Sequence, residues 1–182
     1  MEFVFESKRL GFRKLTEADG PLVRRLLQDP DVMYAWEHAF SEEECDAWLS
    51  RQIGRYKSEG FSNWAILRKA DGAFLGASGL TLQRFGERMV PEIGYLLCKD
   101  YWHRGYATEA AMACRDYAFD VLHLPEVYSI MRENNAPSIA VAQRNGMKPV
   151  GRQDKFYYGK NMPHLVYRIE ADERPKAEKH EK

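Results

Sequence analysis

The chain has 182 residues, 45% of them hydrophobic and 13% aromatic, and its 27 basic and 27 acidic side chains leave no formal net charge. One domain suffices at roughly 100–200 residues per domain, and a balanced chain lacks the electrostatic surplus that holds a nucleic-acid backbone or an anionic membrane, so neither is expected as a partner. Cys45, Cys98 and Cys114 form no CxxC pair and the histidines lie far apart in sequence, which argues against a disulfide framework and against a metal site. The opening MEFVFESKRL has neither the basic nor the apolar region of a signal peptide, and no run approaches the ~18 apolar residues of a membrane span. The expected compartment is the cytoplasm.

LGFRKL (Leu10 to Leu15) alternates as a strand does, and TEAD (Thr16 to Asp19) is a capping signal before Leu22, Val23, Leu26 and Leu27 at helical spacing. Pro30 closes that helix. SEEE (Ser41 to Glu44) opens a second one carrying Cys45, Trp48, Leu49, Ile53 and Tyr56, with Gly60 as its stop. The period then changes: NWAILRK (Asn63 to Lys69), FLGASGLTLQRF (Phe74 to Phe85) and VPEIGYLLC (Val90 to Cys98) read as successive antiparallel strands. A helix over Thr108 to Leu122 and a strand over Val127 to Met131 follow, which predicts a parallel strand pair joined by a crossover helix. Asn135 caps a short helix over Ala136 to Asn145, and two strands near Lys155 to Tyr158 and His164 to Ile169 flank a Gly159-Lys160-Asn161 turn. The sum is a mixed α/β sheet. ADERPKAEKHEK (Ala171 to Lys182) has no large apolar residue to repay its ordering entropy, so we expect one domain over residues 1–170 and a charged, disordered tail over 171–182.

The segment Trp102-His103-Arg104-Gly105-Tyr106-Ala107-Thr108 joins a strand to the alanine-rich helix. A helix start offers about four unpaired N–H groups and roughly half a positive charge, a setting for phosphate. Gly105 would let the backbone approach an anion, Ala107 keeps the turn compact, and Arg104 adds a charged donor; a plain turn would use the glycine equally well. A G-x-G-x-x-G fingerprint would need glycines where His103 and Thr108 stand. Gly94, inside the preceding strand, marks a bulge, a close backbone approach or only a weak strand; a bulge there would splay this strand from its parallel neighbour and free main-chain groups for an extended amide ligand. Asn135 and Ser138 serve either as helix caps or toward a ligand.

With EIGYLL, WHRGYATEAA and NNAPSIAVAQRNGM in that order, the chain resembles the GNAT superfamily of acyl-CoA-dependent N-acetyltransferases, nearest the branch of ribosomal-protein N-terminal alanine and serine acetyltransferases. The resemblance runs from about Lys8 to Ile169. It implies a mostly antiparallel twisted sheet with a splayed parallel pair and flanking helices. It also implies acetyl-CoA as cosubstrate: His103, Arg104, Gly105, Tyr106, Ala107 and Thr108 around the pyrophosphate, Tyr95, Leu96 and Leu97 along the pantetheine, Asn135 on the cofactor arm, and Arg144 at an outer phosphate or simply in solvent. Trp102 stands where the family motif begins with Arg or Gln, and Ala142 stands where many members carry the tyrosine that protonates the departing thiolate. Ser138 is the nearest substitute by family position, with Tyr157 and Tyr158 as alternatives.

An alkylammonium with a pKa of about 10 must lose a proton before it attacks a thioester. Glu92, in an otherwise apolar strand, is the carboxylate placed to take it, or else an outward-facing strand residue. The amide near Tyr95 or Leu96 could meet the oxyanion, and no cysteine is required. Met33 to Phe40 is expected to wall the acceptor cleft, whereas Trp48 and Trp64 are expected to pack. The expected activity is direct transfer of an acetyl group to a primary amine, a small molecule or a protein N-terminus; a non-catalytic acyl-CoA-binding module is the alternative. Monomer and homodimer both remain open.

Overall fold

In the computed structural model, which describes residues 2–175, the alternating segments are strands and both capping signals start helices. β1 (Phe5–Glu6) and β2 (Leu10–Lys14) lead through a 3-10 turn at Glu17–Asp19 into α1 (Gly20–Leu27) and then α2 (Glu42–Ser58). β3 (Asn63–Arg68), β4 (Phe74–Phe85) and β5 (Arg88–Leu97) form the meander. α3 (Tyr106–Asp120), β6 (Glu126–Arg132) and α4 (Ala136–Arg144) follow, and β7 (Lys148–Tyr157) and β8 (Lys160–Glu170) close the chain as a hairpin. The strands form one sheet in the order β1-β2-β3-β4-β5-β6-β8-β7, in which only β5 and β6 run parallel. No helix of the described residues is long and apolar enough to cross a membrane.

The period of two along β3 explains the layering. Trp64 and Ile66 enter a core shared with Ala110, Ala111, Cys114 and Ala118 of α3, while Ala65 and Leu67 face Val23, Leu26 and Leu27 of α1 and Cys45 and Leu49 of α2. Both faces of the sheet centre are thus covered, and the alanines of α3 let that helix lie close. Trp64, 1% exposed, packs edge-on against Phe5 and Tyr117 at centroid distances of 5.0 and 5.3 Å.

Three features depart from the sequence reading. β5 carries no bulge at Gly94: its register with β4 runs unbroken from Phe85↔Arg88 to Gly76↔Leu97. The splay from the parallel neighbour is there as expected, since β5 meets β6 only at Glu92↔Tyr128, but it forms without a bulge. β7 begins at Lys148, well before Lys155, because KPVGRQD is an edge strand exposed along most of its length and carries no apolar alternation to announce it. Finally, Ala171–Glu173 forms a 3-10 turn and Arg174 pairs with Asp120 at 2.7 Å, so order continues into the expected tail; residues 176–182 lie outside those described.

Trp64→Ala should cost about 3–5 kcal/mol, because it empties the contact between β3, β1 and α3. Chemical denaturation of the two proteins, with an unchanged slope, checks this.

Candidate active site

The sheet opens where β5 leaves β6. At that point side chains replace the missing main-chain ladder: Ile130 N–H donates to Glu92 Oε1 at 3.2 Å, and Ser129 Oγ donates to the carbonyl of Ile93 at 3.2 Å. Beyond it, one edge of Gly94–Leu97 is paired with β4 and the other faces the gap without a strand partner. A Cβ at Gly94 would meet nothing within 4 Å, so glycine keeps this stretch of the gap clear.

Two clefts meet at the opening. The first, of about 580 Å³, is bordered by β5, the turn before α3 and the first turns of α4. It is lined by Tyr95, Leu96, Leu97, His103, Gly105, Tyr106, Ala107, Thr108, Asn135 and Arg144, which brings together all the residues expected around the cofactor except Arg104. Arg104 is exposed, and its carbonyl accepts a hydrogen bond from Arg9 Nη1 at 3.0 Å. The second cleft, of about 420 Å³, holds Glu92, Ser129, Lys155, Tyr157 and His164. Ala35, Trp36, Tyr95, Leu96, Asn135 and Ser138 border both.

The turn into α3 has the geometry that phosphate needs. His103 and Gly105 both adopt left-handed backbone, with φ of +59° and +77°, an arrangement that turns successive N–H groups toward one side. Among the described residues, no amide from His103 through Thr108 finds an acceptor, and the first bond into the helix is Glu109 N–H to the carbonyl of Gly105 at 3.1 Å. Arg9 braces the outside of the turn, with its guanidinium 4.3 Å from the Tyr106 ring centroid and its Nε 2.6 Å from Glu109. Trp102 anchors the turn from within, donating its indole N–H to the carbonyl of Leu97 at 2.8 Å. The ring also packs against both core clusters, an apolar contact that Arg or Gln would not supply.

Asn135 is both cap and wall. Its Oδ1 accepts the Ser138 N–H at 3.2 Å and the Tyr34 hydroxyl at 2.6 Å, while the Tyr95 hydroxyl donates to the Ser138 carbonyl at 3.2 Å. Burial pushes the Tyr95 phenol up to about 12 and raises that of Tyr34, so both stay protonated. Ala142, 2% exposed, packs in the core and faces neither cleft.

In the second cleft, desolvation pushes the Glu92 carboxyl up to about 7, against the opposing pull of Lys155, the Ile130 N–H and Arg55. His164 hydrogen-bonds through Nδ1 to the Met162 carbonyl at 2.6 Å, which places the proton on Nδ1 and leaves Nε2 to accept from the Tyr157 hydroxyl at 3.0 Å. Desolvation lowers the pKa of this histidine and keeps it neutral. Ala35 and Trp36 of the loop Met33 to Phe40 line both clefts, and the loop is tied to β6 and the β7–β8 hairpin: Glu37 pairs with Arg132 of β6 at 3.1 Å and with Lys160, and the His38 ring stacks on Tyr158 at 4.0 Å. Tyr158 is thereby spent on holding the loop. Trp48 both packs and lines the acceptor cleft.

The sequence reading named Tyr157 but passed over its partner His164, as well as Tyr34 and the cations Arg51, Arg55, Arg132 and Lys155. Tyr34 lies in the loop that was singled out, but the arginines of α2 look like an ordinary solvated face.

Residues 9–148 match the family model of the acetyltransferase (GNAT) domain. The chain is similar to the Bacillus subtilis protein YkkB, at 33% identity over 140 residues that cover 76% of this chain and 81% of that one. It is similar to the structure of a GNAT-family acetyltransferase from Bacillus anthracis, with 26% identity, a TM-score of 0.78 and coverage of 92% of this chain and 98% of that one. It also shares its fold with RimL, a ribosomal L7/L12 alpha-N-protein acetyltransferase solved with coenzyme A, at 18% identity, a TM-score of 0.76 and coverage of 94% and 99%. The chain belongs to the GNAT acetyltransferase family and is an acetyl-CoA-dependent acyltransferase.

Gly105→Glu should remove the rise in melting temperature that acetyl-CoA gives the unaltered protein, because it strains a left-handed position and sets a carboxylate among the free amides. Gly105→Asn, which tolerates that backbone, should keep the rise.

Proposed function

We propose that the chain acetylates a primary amine by direct attack on acetyl-CoA, without an acyl-enzyme, and that residues 1–170 act as one domain. The reading rests on one observation: a cleft floored by acceptor-free amides and a cleft holding a desolvated carboxylate open into each other where β5 parts from β6. In this reading the amides of His103 to Thr108 hold the pyrophosphate, with Arg144 beside them. The unpaired edge of Tyr95, Leu96 and Leu97 pairs with the pantetheine amides, and Asn135 contacts the arm. Acetyl-CoA supplies the activated acetyl group.

Glu92 takes the proton from the incoming ammonium, as a carboxylate with a pKa of about 7 is matched to that task near neutral pH. A free strand amide at Tyr95 or Leu96 donates to the thioester oxygen as negative charge develops there. Ser138, which borders both clefts, passes a proton to the departing sulfur in place of the missing tyrosine at Ala142. Cys114 cannot serve as a nucleophile, since burial pushes its thiol up to about 12 while it sits against Ser78 in the core. Three free, buried cysteines accord with a reducing compartment, and we place the protein in the cytoplasm.

Because Glu92 acts only when ionised, kcat/KM for an amine should rise as pH passes through about 7. Glu92→Gln should lose that limb and fall by roughly 100-fold above it, which a pH–rate profile would detect. Melting should move the opposite way. A carboxyl with a raised folded pKa costs stability once ionised, so the Gln variant should gain more melting temperature at about pH 8 than at about pH 5. Ser138→Ala should lower kcat with little change in KM for acetyl-CoA, whereas Tyr34→Phe, which loosens Asn135, should raise that KM.

A further inference from the structure

The acceptor cleft carries an excess of positive charge. Arg51 and Arg55 of α2, Arg132 of β6 and Lys155 of β7 line it, and Glu92 is the only carboxylate among its lining residues. Arg55 is balanced by Glu59 at 3.3 Å and Arg132 by Glu37 at 3.1 Å. Among the described residues, Arg51 and Lys155 have no carboxylate partner. Lys155 is half-buried on the wall and close enough to Glu92 to bias its ionisation.

A protonated amine entering such a space meets repulsion that the single carboxylate does not cancel. A substrate with a negative group of its own removes the conflict: its amine goes to Glu92 and its anion to Lys155 and Arg51. The space is also bounded. Its volume of about 420 Å³ is near the lower end of small-ligand pockets, and the Glu37 ties to Lys160 and Arg132 join two of its walls.

We propose that the acceptor is a small amine carrying a carboxylate or phosphate, held by its anionic end on Lys155 and Arg51. This rests on the amine-acetylation reading above and adds the substrate class. Charge-assisted contacts should give the anionic member of a matched pair roughly tenfold or more in kcat/KM. The pairs are gamma-aminobutyrate against butylamine, and phosphoethanolamine against ethanolamine, with putrescine as the dication and a peptide with an acidic second residue as the extended acceptor. Acetylation is followed by coenzyme A release and by mass spectrometry of the product.

The expected order is anionic above neutral above dicationic. In Lys155→Met and in Arg51→Gln the anionic-to-neutral ratio should fall toward one, and Lys155→Arg should restore it. Losing Lys155 also changes the basicity of Glu92, but that alters both members of a pair alike, so the ratio reports charge recognition alone. A ratio near one in the unaltered protein, a preference for putrescine, or a ratio that neither variant moves would overturn the proposal and leave amine acetylation standing. A peptide that outperforms every small amine would also overturn it, by removing the limit on size. If acetyl-CoA raises the melting temperature but no amine of any charge is acetylated, the amine reading itself fails.

Discussion

The site depends on a parallel strand pair that is allowed to meet at one residue and then part. A sheet interior normally satisfies every main-chain N–H and C=O through its neighbours, and a gap there leaves groups that must find other partners. Here the cost is contained by side chains at the point of divergence, where Glu92 takes the Ile130 N–H and Ser129 takes the Ile93 carbonyl. On the far side β4 stays in register along the whole of β5, so the strand is held straight while its free edge faces open space. The opening is therefore built into the pairing of the sheet, from residues that also line the two clefts.

In the proposed mechanism, that arrangement gives Glu92 a structural and a chemical task at once. Its Oε1 completes the hydrogen bonding of β6, which fixes the carboxyl at the mouth of the gap, and the same burial pushes its pKa up to about 7. A carboxylate free to rotate into water would keep an ordinary pKa and be a poor base at neutral pH. Fixing it in the sheet gives position and basicity together. The turn before α3 follows a similar logic: its amides lack acceptors because Gly105 and His103 turn the chain left-handed ahead of the first helical bond, and Arg9, Glu109 and Trp102 hold that conformation from outside and beneath.

Much of this was legible in the residues. Period-two and helical spacing gave the meander and the first three helices nearly to the residue, since each of those elements buries one face against the sheet. The glycine turn and Asn135 could be placed because left-handed backbone and helix capping leave local marks. Gly94 was read for the wrong reason. A strand glycine signals absent side-chain volume, which a bulge and an open cleft share, and only the pairing on both edges tells them apart. The first half of β7 escaped because Lys148 to Arg152 are exposed on both faces and print no burial pattern, whereas the half from Lys155 was expected as a strand; Lys155 as a cleft wall escaped because a lysine there looks like a solvated residue.

The replacement of the expected tyrosine by Ala142 also follows from packing. In this fold α4 contacts α3, and Ala142 is buried in the same core as Cys114 and Ala111 of α3. A phenol on that face would have to enter the core or push α4 outward. The polar hydroxyls come instead from elements that already border the gap: Tyr34 from the loop, Tyr95 from β5, Ser138 from the first turn of α4. Asn135 links two of them through one oxygen, and Tyr95 holds the backbone of the third. The hydroxyls facing the opening therefore come from three elements, the loop, β5 and α4, and the Met33 to Phe40 segment that carries one of them is tied by Glu37 and His38 to the closing hairpin.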